Sequence, residues 1–348
     1  MDFESLSRDL HALRDKLGQL AGVSAGDALQ RLVEHGLDAL PLPGSGRTLL
    51  RWQALAAVAA QDLSLAKLFE GHTDALAIQA ELNAPAPDSH TRWAMWAAEP
   101  PQARVYLLRG DKAGSVTLSG RKAWCSGAGS VTHALLTAWE KQPHGDDLGP
   151  FLVAVDMHQW GVHVTDEGWQ AIGMAGSASV DVRFDEAPAQ LVGDVGDYLQ
   201  RPGFWHGGAG IAACWYGAAT ALAAALKARA AARSDAHSAA HLGAVDVALQ
   251  ETAALLRQAA ALIDRHPHAD AQALAMQARA SAERSASLVL DHVGRALGAA
   301  PFCRDADFAR RAADLPVFLR QSHAERDLQA LGELIAKDAN KDSGAWAL

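Results

Sequence analysis

The heptapeptide SVDVRFD, residues Ser179–Asp185, carries the clearest structural signal in this chain. Its apolar residues stand at positions 180, 182 and 184, and charged residues stand at 181, 183 and 185. A two-residue period places one set of side chains on each face of an extended backbone, so the segment predicts a half-buried β-strand. A strand of this kind needs partners, and we therefore expect further strands nearby in the sequence.

Short apolar runs before this strand supply the expected partners. They are Val105–Leu108, Val116 with Leu118, Ala134–Ala138 and Phe151–Val155. A proline-rich break at Asn83–His90 precedes the runs, and Pro188 follows the last strand. Runs of about five residues separated by turns are typical of strands, so the sequence predicts a middle β domain over residues 93–190.

Helical periodicity occupies both flanks of the β region. The first flank has apolar residues at helical spacing among alanines, namely Leu55, Val58, Leu63, Leu65 and Leu68. The second flank is rich in alanine and has a seven-residue seam at Leu242, Leu249, Leu256 and Ile263, which is typical of a helix packed against a partner helix. We therefore expect an N-terminal helical domain over residues 1–92 and a C-terminal helical bundle over residues 191–348.

Composition narrows the function classes. The 348 residues are 49% hydrophobic and 20% charged, which excludes a disordered chain. The formal charge of −9 disfavours binding to nucleic acid or to an anionic membrane, so we expect a small-molecule partner. Three dispersed cysteines, Cys125, Cys214 and Cys303, fit neither a zinc site nor a disulfide framework. We therefore expect no bound metal, and we expect a cytoplasmic location.

One uncharged stretch, Gly207–Leu226, is long enough to span a membrane. Glycine and alanine dominate it, however, and such small residues favour close packing between helices over burial in lipid. The N-terminus also lacks the apolar run of a signal peptide. We interpret the stretch as a buried core helix and predict neither a membrane span nor export.

Several short strings, in this order along the chain, resemble motifs of the acyl-CoA dehydrogenase family. Residues 120–128, GRKAWCSGA, look like the family string G-x-K-x-W-I-[ST]-x-[AG], and residues 182–188 look like V-x-F-x-x-V-P with Ala187 in place of valine. Glu99-Pro100 matches the end of T-E-P, and Leu191–Gly193 with Gly196 matches L-[IL]-G-x-x-G. Weak strings in the correct order reinforce one another, and together they cover nearly the whole chain.

This resemblance implies an α+β, mostly helical fold: an N-terminal helical domain, a middle β-barrel or sandwich, and a C-terminal four-helix bundle. It further implies a homodimer or homotetramer that binds FAD. The implied cofactor-binding residues are Glu99, Trp124, Cys125, Ser126 and Gly298. Here the sequence departs from the family, because Ala98 replaces the threonine before the glutamate, Ala239 stands at a phosphate-binding arginine position, and only Gly298 remains of a glycine pair.

The catalytic base is the largest departure. Dehydrogenation of an acyl thioester needs a carboxylate to remove a proton, and many family members use the glutamate of Y-E-G-T. In the most natural register this position is Gln321 or Ser322, and neither is a base at neutral pH. The base would then be His323 or Glu325, or would come from another helix, as in some branches of the family. Flavin monooxygenases of this fold also use a histidine near the flavin, and the candidates for that role are His323 and His72. Each of these residues also fits an ordinary ion pair or helix surface.

A glycine-rich aromatic string, residues 201–210, enters the bundle where the family places its acyl pocket. The resemblance implies that Phe204, Trp205 and Gly208 bind substrate. Three functions stay open. The chain is expected to be an FAD-dependent oxidoreductase acting on the CH–CH group of an acyl thioester, such as acyl-CoA, or of a similar small substrate, with an unidentified electron acceptor. The alternatives are a flavin-dependent monooxygenase and a non-catalytic relic with a binding or structural role.

Overall fold

The computed structural model describes residues 3–233 and 235–337. The first flank contains helices α1 (Phe3–Gly18), α2 (Ala25–Glu34), α3 (Thr48–Gln61) and α4 (Leu63–Glu81). Polar side chains fix where two of them begin, because Ser24 and Asp62 accept hydrogen bonds from the backbone N–H groups of Asp27 and Leu65. Such caps satisfy donors that have no partner within the helix, so they set the start of α4, which forms one wall of the site.

The β region forms a closed sheet. Its strands are β1 (Trp93–Trp96), β2 (Val105–Arg109), β3 (Ser115–Cys125), β4 (His133–Glu140), β5 (Leu148–Asp156), β6 (Val162–Val164) and β7 (Val180–Val192). Pairing runs from β4 through β2, β3, β7 and β5 back to β4, while β1 and β6 attach to the outside of β4 and β7. This closure corresponds to the barrel form of the barrel or sandwich that the resemblance implied.

The strand predicted from SVDVRFD forms the first half of β7. Val182 and Phe184 are buried, as the alternation requires. Asp181 differs from the prediction, because it is also buried and its carboxylate lies 3.1 Å from the guanidinium of Arg121 on β3. The partner charge explains how an aspartate is accommodated on the covered side of the strand.

The C-terminal flank is helical to the end of the described residues. Its helices are α5 (Asp197–Gln200), α6 (Gly203–Ala232), α7 (Ala236–Arg265), α8 (Gln272–Leu297), α9 (Ala299–Arg304), α10 (Ala306–Phe318) and α11 (Glu325–Lys337). Short 3₁₀ turns occur at Ala175–Ser177 and Leu319–Gln321. The fold class is therefore the predicted one, and the domain boundaries at 92/93 and 190/191 stay predictions.

Helix α6 contains the uncharged stretch. It is the one helix among the described residues that is long and apolar enough to cross a membrane, and most of that stretch is buried by protein. Trp215, Leu222 and Leu226 are fully buried, and α6 packs against α3, α7 and α8. This burial favours the interpretation as a core helix.

Candidate functional site

A cavity of about 730 Å³ opens where the three parts of the chain meet. Helix α4, the loop after β1, the bulge of β3, the 173–179 loop and the end of α10 all contribute to its wall. Aromatic side chains line it, namely Trp96, Trp124, Trp169, Tyr198 and Phe318. Its size and its mixture of aromatic faces and a few polar groups are typical of a small-molecule site.

Trp124 occupies an unusual position in this wall. The β3–β7 register shifts between Lys122 and Cys125, and Trp124 in this bulge has a φ of 58°, in the left-handed region. A non-glycine residue there stores about 1 kcal/mol or more of strain. The bulge turns the indole outward, so Trp124 is 51% exposed and lines the cavity, while its neighbours Ala123 and Cys125 are buried.

Three serine hydroxyls form a chain beside Trp124. The Oγ atoms of Ser126 and Ser179 are 2.7 Å apart, those of Ser179 and Ser177 are 2.8 Å apart, and Ser177 donates to the carbonyl of Met174 at 2.7 Å. A carbonyl only accepts, and each hydroxyl has one proton. Ser179 must therefore donate to Ser177, and Ser126 must donate to Ser179. The oxygen of Ser126, which lines the cavity, is left as an acceptor.

The loop that holds Ser177 and Ser179 is strained. Met174 and Ala178, on either side of the Ala175–Ser177 turn, have φ values of 59° and 42°. The backbone N–H of Met174 donates to Oδ1 of Asp314 on α10 at 2.5 Å, which pins the loop to the bundle. Strained backbone concentrated around one cavity is typical of a functional site.

Gly127 joins this loop to β3. Its N–H donates to the carbonyl of Ser177 at 2.8 Å, and its φ is 70°. A Cβ at this position would lie 2.9 Å from Cγ of Leu68, so a larger residue would push α4 away from the cavity wall. Gly127, the second glycine of the GRKAWCSGA string, is thus required by both backbone angle and packing.

Glu99 lines the cavity through its loop but its carboxylate is used for structure. Its Oε1 lies 3.3 Å from Nζ of Lys122, which is fully buried and also donates to the Oγ1 of Thr137 at 2.6 Å. Thr137 donates to Glu99 as well, and the indole N–H of Trp139 donates to Oε2 at 2.8 Å. Burial lowers the pKa of Lys122, and the Glu99 carboxylate opposes that shift. This network holds the Ala97–Pro100 loop at the edge of the cavity.

A second cavity of about 280 Å³ adjoins the first and is here called the annex. Phe204, Trp205 and Gly208, the predicted substrate-binding residues, all line the annex. Both cavities share one set of lining residues: Glu70, Asp74, Tyr198, Arg279 and His323. The structure therefore places the predicted substrate residues next to the main cavity and joined to it.

Arg279 of α8 ties the two cavities together. Its guanidinium donates to the carbonyl of Gly208 at 3.2 Å and to that of Gln321 at 2.8 Å, and it lies 5.0 Å from the ring centroid of Trp215. Burial lowers the pKa of Arg279, and Asp327 is the largest opposing charge. Because both acceptors are backbone carbonyls, Arg279 fixes the position of Gln321 in the wall.

The three predicted catalytic residues have different surroundings. His323 lines both cavities, and its Nδ1 lies 3.3 Å from Oδ1 of Asp327. Glu325, at the start of α11, instead lines a separate cavity of about 330 Å³. His72 is fully buried and lies outside the lining: its Nδ1 accepts from the N–H of Trp93 at 3.0 Å, so its Nε2 carries the proton toward Asp38 at 3.1 Å.

Of the predicted cofactor-binding residues, some line the main cavity and others do not. Trp124, Ser126 and Glu99 line the main cavity. Cys125 points into the core, with its Sγ 3.3 Å from the carbonyl of Lys122, and Gly298 ends α8 with a φ of 65° outside the described cavities. Within residues 3–233 and 235–337, no group of three histidine, cysteine or acidic side chains could hold a metal ion.

No protein-family model matches the chain, and no curated protein sequence matches it either. Solved structures do match. KijD3, in complex with FMN and a dTDP-linked 3-amino-4-keto sugar, has 20% identity and a TM-score of 0.77 over 98% of this chain and 94% of that one. Dibenzothiophene monooxygenase TdsC from Paenibacillus sp. A11-2, with FMN and indole, has 18% identity and a TM-score of 0.78 over 94% and 97%.

Methanesulfinate monooxygenase MsuC from Pseudomonas fluorescens is a further match, with 19% identity and a TM-score of 0.79 over 94% of this chain and 97% of that one. Matches of this extent confirm the fold that the sequence strings predicted, from the first helices to the C-terminal bundle. The low identity fits the divergence of those strings, and it makes the chain's own residues the basis for any statement about its chemistry.

Proposed function

We propose that the chain is a flavin-dependent monooxygenase that acts on a small molecule, with the flavin ring in the main cavity. The observation that carries the proposal is the pairing of a half-exposed Trp124 on strained backbone with the acceptor oxygen of Ser126 in one wall. An indole face suits a planar ring, and a fixed acceptor suits a ring N–H. A bound reduced flavin supplies the two electrons by which one oxygen atom of O₂ enters the substrate and the other leaves as water.

The choice between a monooxygenase and a dehydrogenase depends on which side chains of the cavity wall could remove a proton. Gln321, which is with Ser322 one of the two residues at the position where the resemblance implies a catalytic glutamate, lines the cavity and carries no charge. Glu99 is engaged by Lys122, and Glu70 lies 3.0 Å from Nζ of Lys67. None of these three side chains is therefore a free carboxylate base for α-proton abstraction from an acyl thioester. Both TdsC and MsuC are monooxygenases, which supports the proposal.

His323 is the proposed catalytic side chain. It lines both cavities, so its imidazole stands between the proposed flavin and substrate positions. Asp327 beside Nδ1 orients the ring, and an imidazole that carries a proton can donate it to a leaving hydroxyl group. Glu325 and His72 receive no role in this scheme, because neither lines the main cavity.

We propose FMN in preference to FAD. The sequence resemblance implied FAD, yet Gly298, which it assigned to the phosphate end, lies outside the described cavities, and KijD3 and TdsC were both solved with FMN. The homodimer or homotetramer, the small-molecule substrate and the cytoplasmic location stay predictions.

The test is direct. The purified protein is incubated with FMN or FAD, passed through gel filtration, and its absorption recorded. The bound flavin is then released by heat and identified by chromatography. We expect FMN to be retained, and oxygen uptake to follow when a flavin reductase and NADH supply reduced FMN together with a substrate. Anaerobic bleaching of the flavin by an acyl-CoA would identify a dehydrogenase instead, and a colourless protein would contradict both.

Matched tryptophan variants link the result to the cavity. Trp124→Ala removes the indole from the wall and should weaken FMN binding about tenfold, since an aromatic stacking contact contributes about 1 kcal/mol beyond buried area. Trp160→Ala is the control, because Trp160 is 66% exposed and lies outside the cavity lining. Equal affinities in the two variants would place the flavin elsewhere.

A further inference from the structure

Asp74 of α4 lies between the main cavity and the annex and lines both of them. Its Oδ1 atom is shielded from solvent, and no described residue donates a hydrogen bond to it. A buried carboxylate oxygen without a donor is rare in folded proteins, because its lost hydration is not replaced. The position of Asp74 at a junction of two cavities suggests that a bound molecule supplies the missing donor.

The positive charges around Asp74 have other partners. Arg201, whose charge acts most strongly on Asp74, donates from Nη1 to Oε2 of Glu81 at 2.7 Å, although its Nε has no partner among the described residues, and Nζ of Lys67 lies 3.0 Å from Glu70. Desolvation by burial raises the pKa of Asp74, and the field of Arg201 only partly opposes it. The protein therefore leaves this carboxylate with an open hydrogen-bonding position that its neighbours do not fill.

Helix α6 is shaped to bring its backbone against Asp74. A Cβ on Gly207 would lie 2.8 Å from Oδ1, so the absence of a side chain there lets the carboxylate lie against the helix. Close approach of this kind keeps water from the Oδ1 atom. A ligand that reaches it must enter from the cavity side.

The annex around Asp74 has aromatic walls. Tyr198 and Phe204 meet edge to face with ring centroids 5.4 Å apart, and Phe204 and Trp205 do so at 5.2 Å. With a volume of about 280 Å³, the annex suits a planar apolar group of one or two fused rings. Charged side chains also line this space, namely Glu70, Asp74, Arg201, Arg279 and Asp327, and such polar groups determine which ligand is accepted.

We propose that the annex binds the planar apolar part of the substrate and that Oδ1 of Asp74 accepts a hydrogen bond from an N–H or O–H group on it. The substrate class is an aromatic or heteroaromatic hydrogen-bond donor. Asp74 is then a specificity-determining residue that prefers donors over molecules of equal shape that lack one. This inference rests on the proposed function, because it assigns the annex to the substrate of the flavin site.

Indole and benzofuran are suitable probes, since they share size and shape and differ by one N–H group. Titration calorimetry on the full chain, with and without FMN, should show indole binding about tenfold more tightly than benzofuran, because a hydrogen bond to the Oδ1 acceptor is being compared with none. Asp74→Leu keeps a branched side chain without acceptors and should reduce this ratio to about one. Asp74→Asn serves as a second variant if the leucine variant is not folded by circular dichroism, and it too should lower the ratio.

Phe204→Leu is the matched control. It removes an aromatic wall, so it should weaken both probes and leave their ratio unchanged. An equal affinity of the wild-type protein for the two probes, or an indole preference that survives in both Asp74 variants, would overturn the inference. The FMN spectrum of the same samples tests the proposed function separately: probe discrimination in a protein that binds no flavin would support Asp74 while contradicting the flavin site.

Discussion

The direction of the Ser126–Ser179–Ser177 hydroxyl chain leads to a prediction at the level of single residues. Because Ser126 is held as an acceptor, it suits the N–H that reduced flavin carries at N5 and that oxidised flavin lacks. We expect the protein to bind reduced FMN more tightly than oxidised FMN. Ser177→Ala frees Ser179 to turn its proton toward Ser126, and this should reduce the preference about tenfold, the effect of one hydrogen bond.

Anaerobic measurement of the two dissociation constants tests this prediction. Ser45→Ala is the control, because Ser45 is exposed and its hydroxyl bonds only locally, to the carbonyl of Leu42. A change in Ser177→Ala that is equal for the two flavin states would show that the chain has no fixed direction.

The backbone conformation at Trp124 leads to a second prediction, which concerns the stability of two variants. Trp124→Ala and Trp124→Gly both remove the indole, but only glycine adopts the observed φ of 58° without strain. We expect the glycine variant to exceed the alanine variant by about 1 kcal/mol in free energy of unfolding, measured by urea denaturation. Equal stabilities would mean that the bulge relaxes once the indole is gone, and that the ring itself imposes the backbone angle.

These residues also show how far the sequence alone reaches. Trp124 and Ser126 were identified because they belong to a contiguous string, and the structure places both in the cavity wall. Ser177, Asp74 and Arg279 were missed, since nothing local distinguishes them from other polar residues. Their significance arises from tertiary contacts: a hydroxyl chain, a carboxylate without a donor and a guanidinium bonded to two distant carbonyls.

At the level of elements, substitution of two helical glycines by alanine should change the stability of the protein in opposite directions. A Cβ on Gly217 of α6 would lie 2.1 Å from the backbone oxygen of Ala56 on α3, so Gly217→Ala must push two core helices apart. Gly243 of α7 has no atom within 4 Å of such a Cβ. We expect Gly217→Ala to destabilise the protein by about 1–3 kcal/mol and Gly243→Ala to stabilise it by up to about 1 kcal/mol.

Urea denaturation of both variants tests this pair, with each serving as the control for the other. Stabilisation by both substitutions would mean that α3 and α6 separate easily, and that the close contact at Gly217 does not contribute to the packing of the core.

The elements themselves follow largely from sequence periodicity. Strand β7 and the helix with the seven-residue seam, α7, were both predicted, and in the seam Leu256 and Ile263 are buried while Leu242 and Leu249 are half-buried. Alternation could not reveal the bulge at Trp124, because a bulge depends on the register with the partner strand β7. Alternation also predicted that Asp181 faces solvent. This prediction was wrong, because Arg121 on β3 supplies a partner charge that allows Asp181 to be buried.

At the level of the whole molecule, the order of helical, β and helical regions could be predicted because each region has its own hydrophobic period. The cavity could not, since its wall combines residues from α4, from the β3 bulge and from α8 and α10. The net charge disfavours nucleic acid as a partner class, but composition does not predict which residues meet in the cavity wall.

A ligand that binds only the folded chain stabilises the whole molecule, which gives the last prediction. At an FMN concentration of one hundred times its dissociation constant, the free energy of unfolding should rise by about 2.7 kcal/mol. For a chain of this length that corresponds to a rise in melting temperature of about 4 °C, measured by calorimetry. The shift should be smaller for Trp124→Ala at the same FMN concentration and unchanged for Trp160→Ala, because Trp160 lies outside the cavity. If FMN at this concentration leaves the wild-type melting temperature unchanged, the cavity does not hold the flavin in the folded state, and the redox function fails with it.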